Sequence, residues 1–392
     1  MIAVAEALEA LFALARPLGR ETIDLRDACG RVLAEDAVAQ RDQPPFDGSA
    51  MDGYAVRAED AVPGKVLTVI GESAAGHRYH GAVGPGEAVR IFTGAPVPEG
   101  AGHVVIQEDV ERDGDRITLT DRLGKGTNIR PAGGDFRVGD RLSAPRRLTP
   151  RDVALLASMN IPRVCVARAP KVALISTGDE LVLPGDTPGP DQIIVSNTFG
   201  LDALFRQAGA LPRMLPIARD SRESLIATFD QARDADLIVT IGGASVGDHD
   251  LVGRVAAELG LDQSFYKVAM RPGKPLMAGR MGADGPMMIG LPGNPVSAMV
   301  CGTIFVAPVL EAMQGLKVTA APRRIARLAH DLPANGPREH YMRARVEGDR
   351  IEIFPSQDSS LLTLLAEANA LAVRAPGAPA ATPGDPVEWI AF

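Results

Sequence analysis

The sequence predicts a multi-domain α/β and β protein. A central parallel α/β sheet domain is covered on both faces, and beside it lie a β-rich insertion domain, a helical linking domain and a C-terminal β domain. Three observations predict this. From about residue 169 to 316, short apolar runs alternate with segments of helical periodicity, the pattern of strands wound with crossover helices. Residues 51–141 break into short β-rich runs separated by Gly and Pro, and β-rich runs return after Gly315. The chain is 392 residues long, more than a single core usually supports.

The elements follow in order. Val4, Leu8, Leu11 and Leu14 fall near helical spacing, and Glu6 and Glu9 make the segment an amphipathic helix rather than a leader or a membrane span. The runs VLTVI, AVRIF, HVVIQEDV and RITLT predict the insertion strands. Thr149-Pro150-Arg151-Asp152 then opens a helix, with Thr149 as N-cap, Pro150 at the first position and Asp152 as capping acid. The linking domain is therefore expected from residues 1–50 and 142–168, around the insertion. In residues 169–316, KVALIS (171–176), RMLPI, DLIVTI (236–241), FYKVAM and PMMIG read as strands. Helices are expected through Leu201, Leu204, Phe205 and Ala208 with Gly209 as stop, after Asp220, through Leu251, Val252, Val255 and Leu259, and from about Val296. Asp220 with Glu223 resembles a capping box. RIARLAH, HYMRARV, RIEIF and VEWIAF supply strands for residues 317–392.

Composition narrows the partners. A formal net charge of -8 gives no bulk positive field for a nucleic acid. The three cysteines, Cys29, Cys165 and Cys301, are far apart, which fits a reducing compartment and offers no zinc or disulfide framework. A soluble cytoplasmic enzyme, with no membrane partner, is the expectation.

Ligands of an open parallel sheet bind beyond the carboxyl ends of its strands. Three loops fall there: Ser176-Thr177-Gly178-Asp179-Glu180; Gly242-Gly243-Ala244-Ser245-Val246-Gly247-Asp248-His249-Asp250; and Leu291-Pro292-Gly293-Asn294-Pro295. Glycines there let backbone amides approach a phosphate, and the following helix N-terminus favours an anion. Any one of these loops could be a tight turn and no more; three on one sheet edge point to an anionic ligand. Asp179, Glu180, Asp248 and Asp250 would repel one another without a cation, and Mg²⁺ with phosphate oxygens is the common solution. Helix capping is the alternative for Asp220 and Asp250. Arg271 and Lys274, in the stiff turn RPGKP, suit a phosphate grip or a solvated loop. Asp52, Thr93 and Asp135 close short turns in the insertion, where a structural role is the simpler reading of each alone.

Taken together, PFDGSAMDGYAV, IFTGAPVPEGA, NIRPAGGD, ISTGDEL, VSNTFGL, TIGGASVGDHD, MRPGKP and GLPGNPVSA resemble, in order, the signature segments of the molybdopterin molybdenumtransferase (MoeA) family, across essentially the whole chain. Arg271 stands where that family more often has Lys. The resemblance implies an elongated, L-shaped subunit in a homodimer, with the active site between the insertion of one subunit and the α/β domain of the other. It implies insertion of molybdenum from molybdate into adenylylated molybdopterin with release of AMP, aided by Mg²⁺. Asp52, Thr93, Asp135, Glu180, Asp220 and Asp250 would be the functional polar residues, with Glu180 and Asp250 on the metal. Ser176, Thr177, Gly178, Asp179, Gly242, Gly243, Ser245, Pro292, Gly293, Asn294 and Pro295 would cradle the substrate, and Arg271 and Lys274 would hold its anionic groups. A molybdopterin adenylyltransferase is a possible partner. An adenylyltransferase-like enzyme and a catalytically silent scaffold are the rival readings, and molybdate and tungstate are not distinguished.

Overall fold

The computed structural model describes residues 1–243, 251–317 and 319–392. The central sheet has six strands, in the order Leu211–Met214, Lys171–Ser176, Leu237–Ile241, Met287–Leu291, Pro275–Met281, Leu261–Lys267. The first four are parallel, and Pro275–Met281 runs antiparallel to both its neighbours, Met287–Leu291 and Leu261–Lys267. The Pro275–Met281 strand was not expected from the sequence. It begins at a proline, and Gly279 interrupts its apolar run, at a point where a Cβ would collide with the Asp262 carbonyl of the neighbouring strand.

Alternation along Lys171–Ser176 shows why both faces are covered. Val172 and Leu174 join one core with Leu201, Phe205 and Phe305, while Ala173 and Ile175 join another with Leu225, Phe229 and Val255. Both are apolar because each face meets helices. The helical stretch Pro295–Met313 is apolar and long enough to cross a membrane, but 78% of it is buried inside the protein, where Ile304, Phe305 and Leu310 fill the first core.

The N-terminal helix, Val4–Leu14, also belongs to that first core through Val4, Ala7, Leu8 and Leu11, and Ile2 bridges to Val268. It therefore packs on the central domain. The linking segments contain the expected helix, Pro150–Ser158, and also a four-stranded antiparallel sheet in the order Arg20–Asp24, Arg163–Ala167, Val32–Leu33, Arg146–Arg147. Two of these strands have only two residues, too short to leave a period in the sequence. The helix starts as its sequence dictates. The Asp152 carboxylate accepts from the Thr149 amide at 2.8 Å and hydroxyl at 2.7 Å, and Arg146 pairs with its other oxygen at 2.8 Å.

The insertion is a six-stranded sheet in the order His103–Ile106, Gly53–Val56, Glu87–Ile91, Val66–Ser73, Arg116–Leu119, Val110–Asp113. In the C-terminal part, Glu339–Glu347, Arg350–Ile353, Arg323–Leu328, Pro386–Ala391 and Ala370–Arg374 pair in a ring, because the last also bonds the first. Met270–Arg271, from the central domain, joins this barrel beside Glu339 and His340. A compact single-core protein of 41.2 kDa would expose about 15,000 Å², whereas this chain exposes 19186 Å². The excess fits separate lobes arranged as an elongated subunit.

Candidate active site

Three adjacent parallel strands end level with one another: Ser176 stands opposite Ile241, and Ile241 opposite Leu291. The loops that leave them enclose a cleft of about 700 Å³. Among its lining residues are Ser176, Thr177, Gly178, Glu180, Asp220, Gly242, Gly243, Pro292, Gly293, Asn294 and Pro295, all proposed from the sequence. Ser245 and Asp250, with Asp248 and His249, lie outside the described residues.

The turns are packed too closely for side chains. Gly242 and Gly243 have φ of +90° and +64°. A Cβ on Gly243 would collide with Val252 and lie 2.8 Å from the Thr177 hydroxyl, and one on Gly293 would lie 3.2 Å from Gly242 Cα. The backbone ladder continues one residue past the strands, from the Thr177 amide to Ile241 and from the Gly242 amide to Leu291, both at 3.1 Å. Beyond that, the amides of Gly243, Gly293 and Asn294 have no hydrogen-bond partner among the described residues. The buried Thr177 hydroxyl and the Asn294 Oδ1 likewise find none. Unpartnered amides at the start of the helical stretch Pro295–Met313 make a site for an oxyanion.

Asp220 does not cap its helix. Ser221 does, accepting from the Ser224 amide at 3.2 Å, and Asp220 is left as a lining residue of the cleft. Asp179 is not among the lining residues. Its carboxylate accepts from the Asp220 amide at 3.2 Å, which makes it a brace for Asp220. The Glu180 carboxylate folds over Gly178, where a Cβ would strike it. Glu180 and Asp220 thus bring two exposed carboxylates to one cleft. No three metal-ligating side chains gather among the described residues. Two carboxylates suit Mg²⁺, which takes most of its ligands from phosphate and water.

Arg271 and Lys274 are exposed and do not line the cleft. Lys274 adjoins Pro275, which does. Arg271 is held against the barrel strand beside buried His340, whose imidazole burial, and then Arg271 and Arg338, push down to a pKa of about 4.

The insertion residues lie elsewhere. The Thr93 amide and hydroxyl donate to Asp52 Oδ1 at 2.7 and 2.8 Å, and these bonds hold the Asp52 carboxyl below the usual range. Asp135 lines a second cleft, of about 400 Å³, with Gln43, Pro44, Arg130, Pro131 and Gly134. Neither Asp52, Thr93 nor Asp135 borders the central cleft of its own chain.

Sequence reasoning missed several lining residues. Asn197 Nδ2 donates to the Gly293 carbonyl at 2.6 Å, and Ser196 precedes it. Leu181–Val182 and Ile193–Ile194 form a small parallel pair that gives the cleft an apolar wall, and Arg254 adds a cation. The VSNTFGL segment carried the signal for Asn197; nothing local marked Arg254.

An α/β domain with an anion-binding cleft at its carboxyl edge, two acids beside it and three accessory β-containing lobes defines a class of nucleotide- or phosphate-handling enzyme. Residues 2–160 match the MoeA N-terminal region (domain I and II), 173–312 a probable molybdopterin binding domain, and 325–392 the MoeA C-terminal region (domain IV). Molybdopterin molybdenumtransferases from Nostoc sp. and Bacillus subtilis are 38% and 35% identical to this chain; the first alignment covers 90% of this chain and 84% of the relative, the second 90% and 85%. A crystal structure of the molybdopterin biosynthesis MoeA protein from Pyrococcus horikoshii superposes with a TM-score of 0.83 at 32% identity, covering 100% of this chain and 99% of that one. The chain belongs to the molybdopterin molybdenumtransferase family.

Proposed function

We propose that this chain transfers molybdenum from molybdate to adenylylated molybdopterin, with Mg²⁺-dependent release of AMP. The carrying observation is the meeting of Glu180 and Asp220 with the unpartnered amides of Gly243, Gly293 and Asn294 in one cleft. A phosphoanhydride presents anionic oxygens to such amides, and its cleavage depends mainly on positioning and charge stabilisation. The apolar Ile193–Ile194 wall suits a flat pterin or adenine ring. Glu180 and Asp220 would hold the magnesium ion, which supplies charge neutralisation at the phosphate oxygens. The Thr177 hydroxyl donates to a substrate oxygen.

Asp52, Thr93 and Asp135 enter through a second subunit. That none of them borders the cleft of its own chain, together with the excess surface of the chain, supports a homodimer in which each insertion closes the partner's cleft. The exposed Cys29 thiol persists best in a reducing compartment, so the cytoplasm is the proposed location, where a molybdopterin adenylyltransferase could hand over substrate.

The test is AMP release from adenylylated molybdopterin by the purified chain, with molybdate and Mg²⁺ each varied. Release that requires both supports the reading. ATP-dependent adenylylation of molybdopterin would favour the adenylyltransferase reading, and tight pterin binding with neither reaction would favour a scaffold. Mixing Asp52→Asn and Glu180→Gln proteins tests the dimer: shared sites regain activity in mixed dimers, whereas self-contained sites do not.

A further inference from the structure

The Asp52 turn is held by more than Thr93. Gly53 follows it where the insertion strands pinch together: a Cβ there would collide with the Val105 carbonyl. The Asp52 carbonyl accepts from the Gln107 amide at 3.0 Å. Arg90, opposite Tyr54 on the neighbouring strand, reaches across this turn. Its Nη1 donates to the Gly53 carbonyl at 3.1 Å and its Nη2 to Gln107 Oε1 at 2.7 Å. The guanidinium lies over two rings, 5.1 Å from the Tyr54 ring centre and 4.8 Å from that of Phe92. It forms no ion pair among the described residues, so its charge is left to act on the surroundings. Glu72 lies in register with Arg90 on the Val66–Ser73 strand, and Glu108 accepts from Gln107 Nε2 at 3.3 Å; the Thr93 bonds lower the Asp52 carboxyl most, and the Arg90 charge adds a smaller push in the same direction.

We propose that Arg90 is a positioning residue for the reaction: held over the Tyr54 and Phe92 rings and bonded to the Gly53 carbonyl and Gln107, it fixes the Asp52–Gly53 turn and keeps a positive charge close to it. The inference rests on the reading of Asp52 as a functional acid. An acid brought against molybdate and a phosphorylated substrate meets like charge, which favours its protonated form. The Thr93 donors oppose that most strongly, and the Arg90 charge, bonded to the next residue's carbonyl, adds to them. Arginine suits the task because a planar cation can stack on two rings while donating to two acceptors, which an ammonium cannot do.

The experiment compares Arg90→Gln, Arg90→Lys, Asp52→Asn and the Asp52→Asn/Arg90→Gln double variant in the full-length protein, by AMP release across pH and by thermal melting. Arg90→Gln is expected to lower kcat by about 10- to 100-fold, to change KM by less than about 3-fold, and to move the acid limb of the profile to higher pH. Arg90→Lys should restore the limb in part and kcat little. The double variant should turn over no more slowly than Asp52→Asn alone, because both changes act on one group. Should Arg90→Gln melt early, Arg90→Lys carries the comparison. Multiplying losses in the double variant, or an unmoved acid limb, would overturn the role of Arg90 while leaving Asp52 intact. Wild-type turnover by Asp52→Asn would overturn the reading of Asp52, and Arg90 with it.

Discussion

Asn197 ties the turn after one strand to the helix after another: its Nδ2 donates to the Gly293 carbonyl at 2.6 Å, across the mouth of the cleft. The bond aligns the Gly293 and Asn294 amides with the start of the helix Asn197–Gln207. Asn197→Ala should cost about 0.5–1.5 kcal/mol in stability and lower kcat/KM by about tenfold or more. Melting curves and steady-state kinetics on one preparation check this. A variant that loses stability but keeps kcat/KM would reduce Asn197 to a structural tie.

Glu180 is exposed, so its replacement should leave the fold unaltered. Glu180→Gln keeps the shape and removes the charge. Turnover should fall by about 100-fold or more, and the magnesium concentration for half-maximal rate should rise. Magnesium titrations of AMP release measure both. An unchanged magnesium requirement would remove Glu180 from the metal.

Gly243 holds φ of +64° with Val252 and Thr177 against it. Gly243→Ala should destabilise the protein by about 1–3 kcal/mol and weaken pterin binding more than Gly64→Ala, where φ is +77° but the space is open. Calorimetric titration with molybdopterin and denaturant melts of both variants separate backbone strain from lost cleft geometry.

Asp152 gives the chain a defined acid sensitivity. Burial opposes its charge, but the Thr149 donors and Arg146 outweigh that, and its carboxyl titrates below the usual range. A carboxyl with a folded pKa below its unfolded one contributes stability that is present above the unfolded value, near pH 4, and lost as pH falls through the folded value. Asp152→Asn should lower stability by about 1–2 kcal/mol at neutral pH and flatten the stability curve below about pH 4. Urea melts between pH 3 and pH 7 test the slope, and equal slopes for both proteins would contradict it.

Much of this architecture was legible because each signal was local. The Thr149-Pro150-x-Asp152 start carries its own hydrogen bonds, and the glycines at 242 and 243 mark positive φ directly. What escaped depended on distant partners. Val32–Leu33 and Arg146–Arg147 are strands only because each finds the other. Asp220 reads like a cap, yet the neighbouring Ser221 takes that place and leaves the acid to the cleft. Leu181–Val182 becomes a wall only by pairing with Ile193–Ile194 across a ten-residue excursion, and Arg254 faces the cleft only once its helix has docked. The apolar stripe of the first helix was plain, but not which domain it would cover.

That helix sets the order in which the protein can be completed. Its stripe of Val4, Ala7, Leu8 and Leu11 is buried with Phe305 and Leu310, which emerge from the ribosome about 300 residues later. At the usual 5–20 residues per second, roughly 15–60 seconds separate the two. Over that interval the greasy face of the helix lacks part of its native cover, and the insertion can mature before that cover is complete. A holdase in the translation mix should therefore raise the folded yield of the intact chain more than that of a version whose first sixteen codons have been moved to the 3′ end behind a flexible tether.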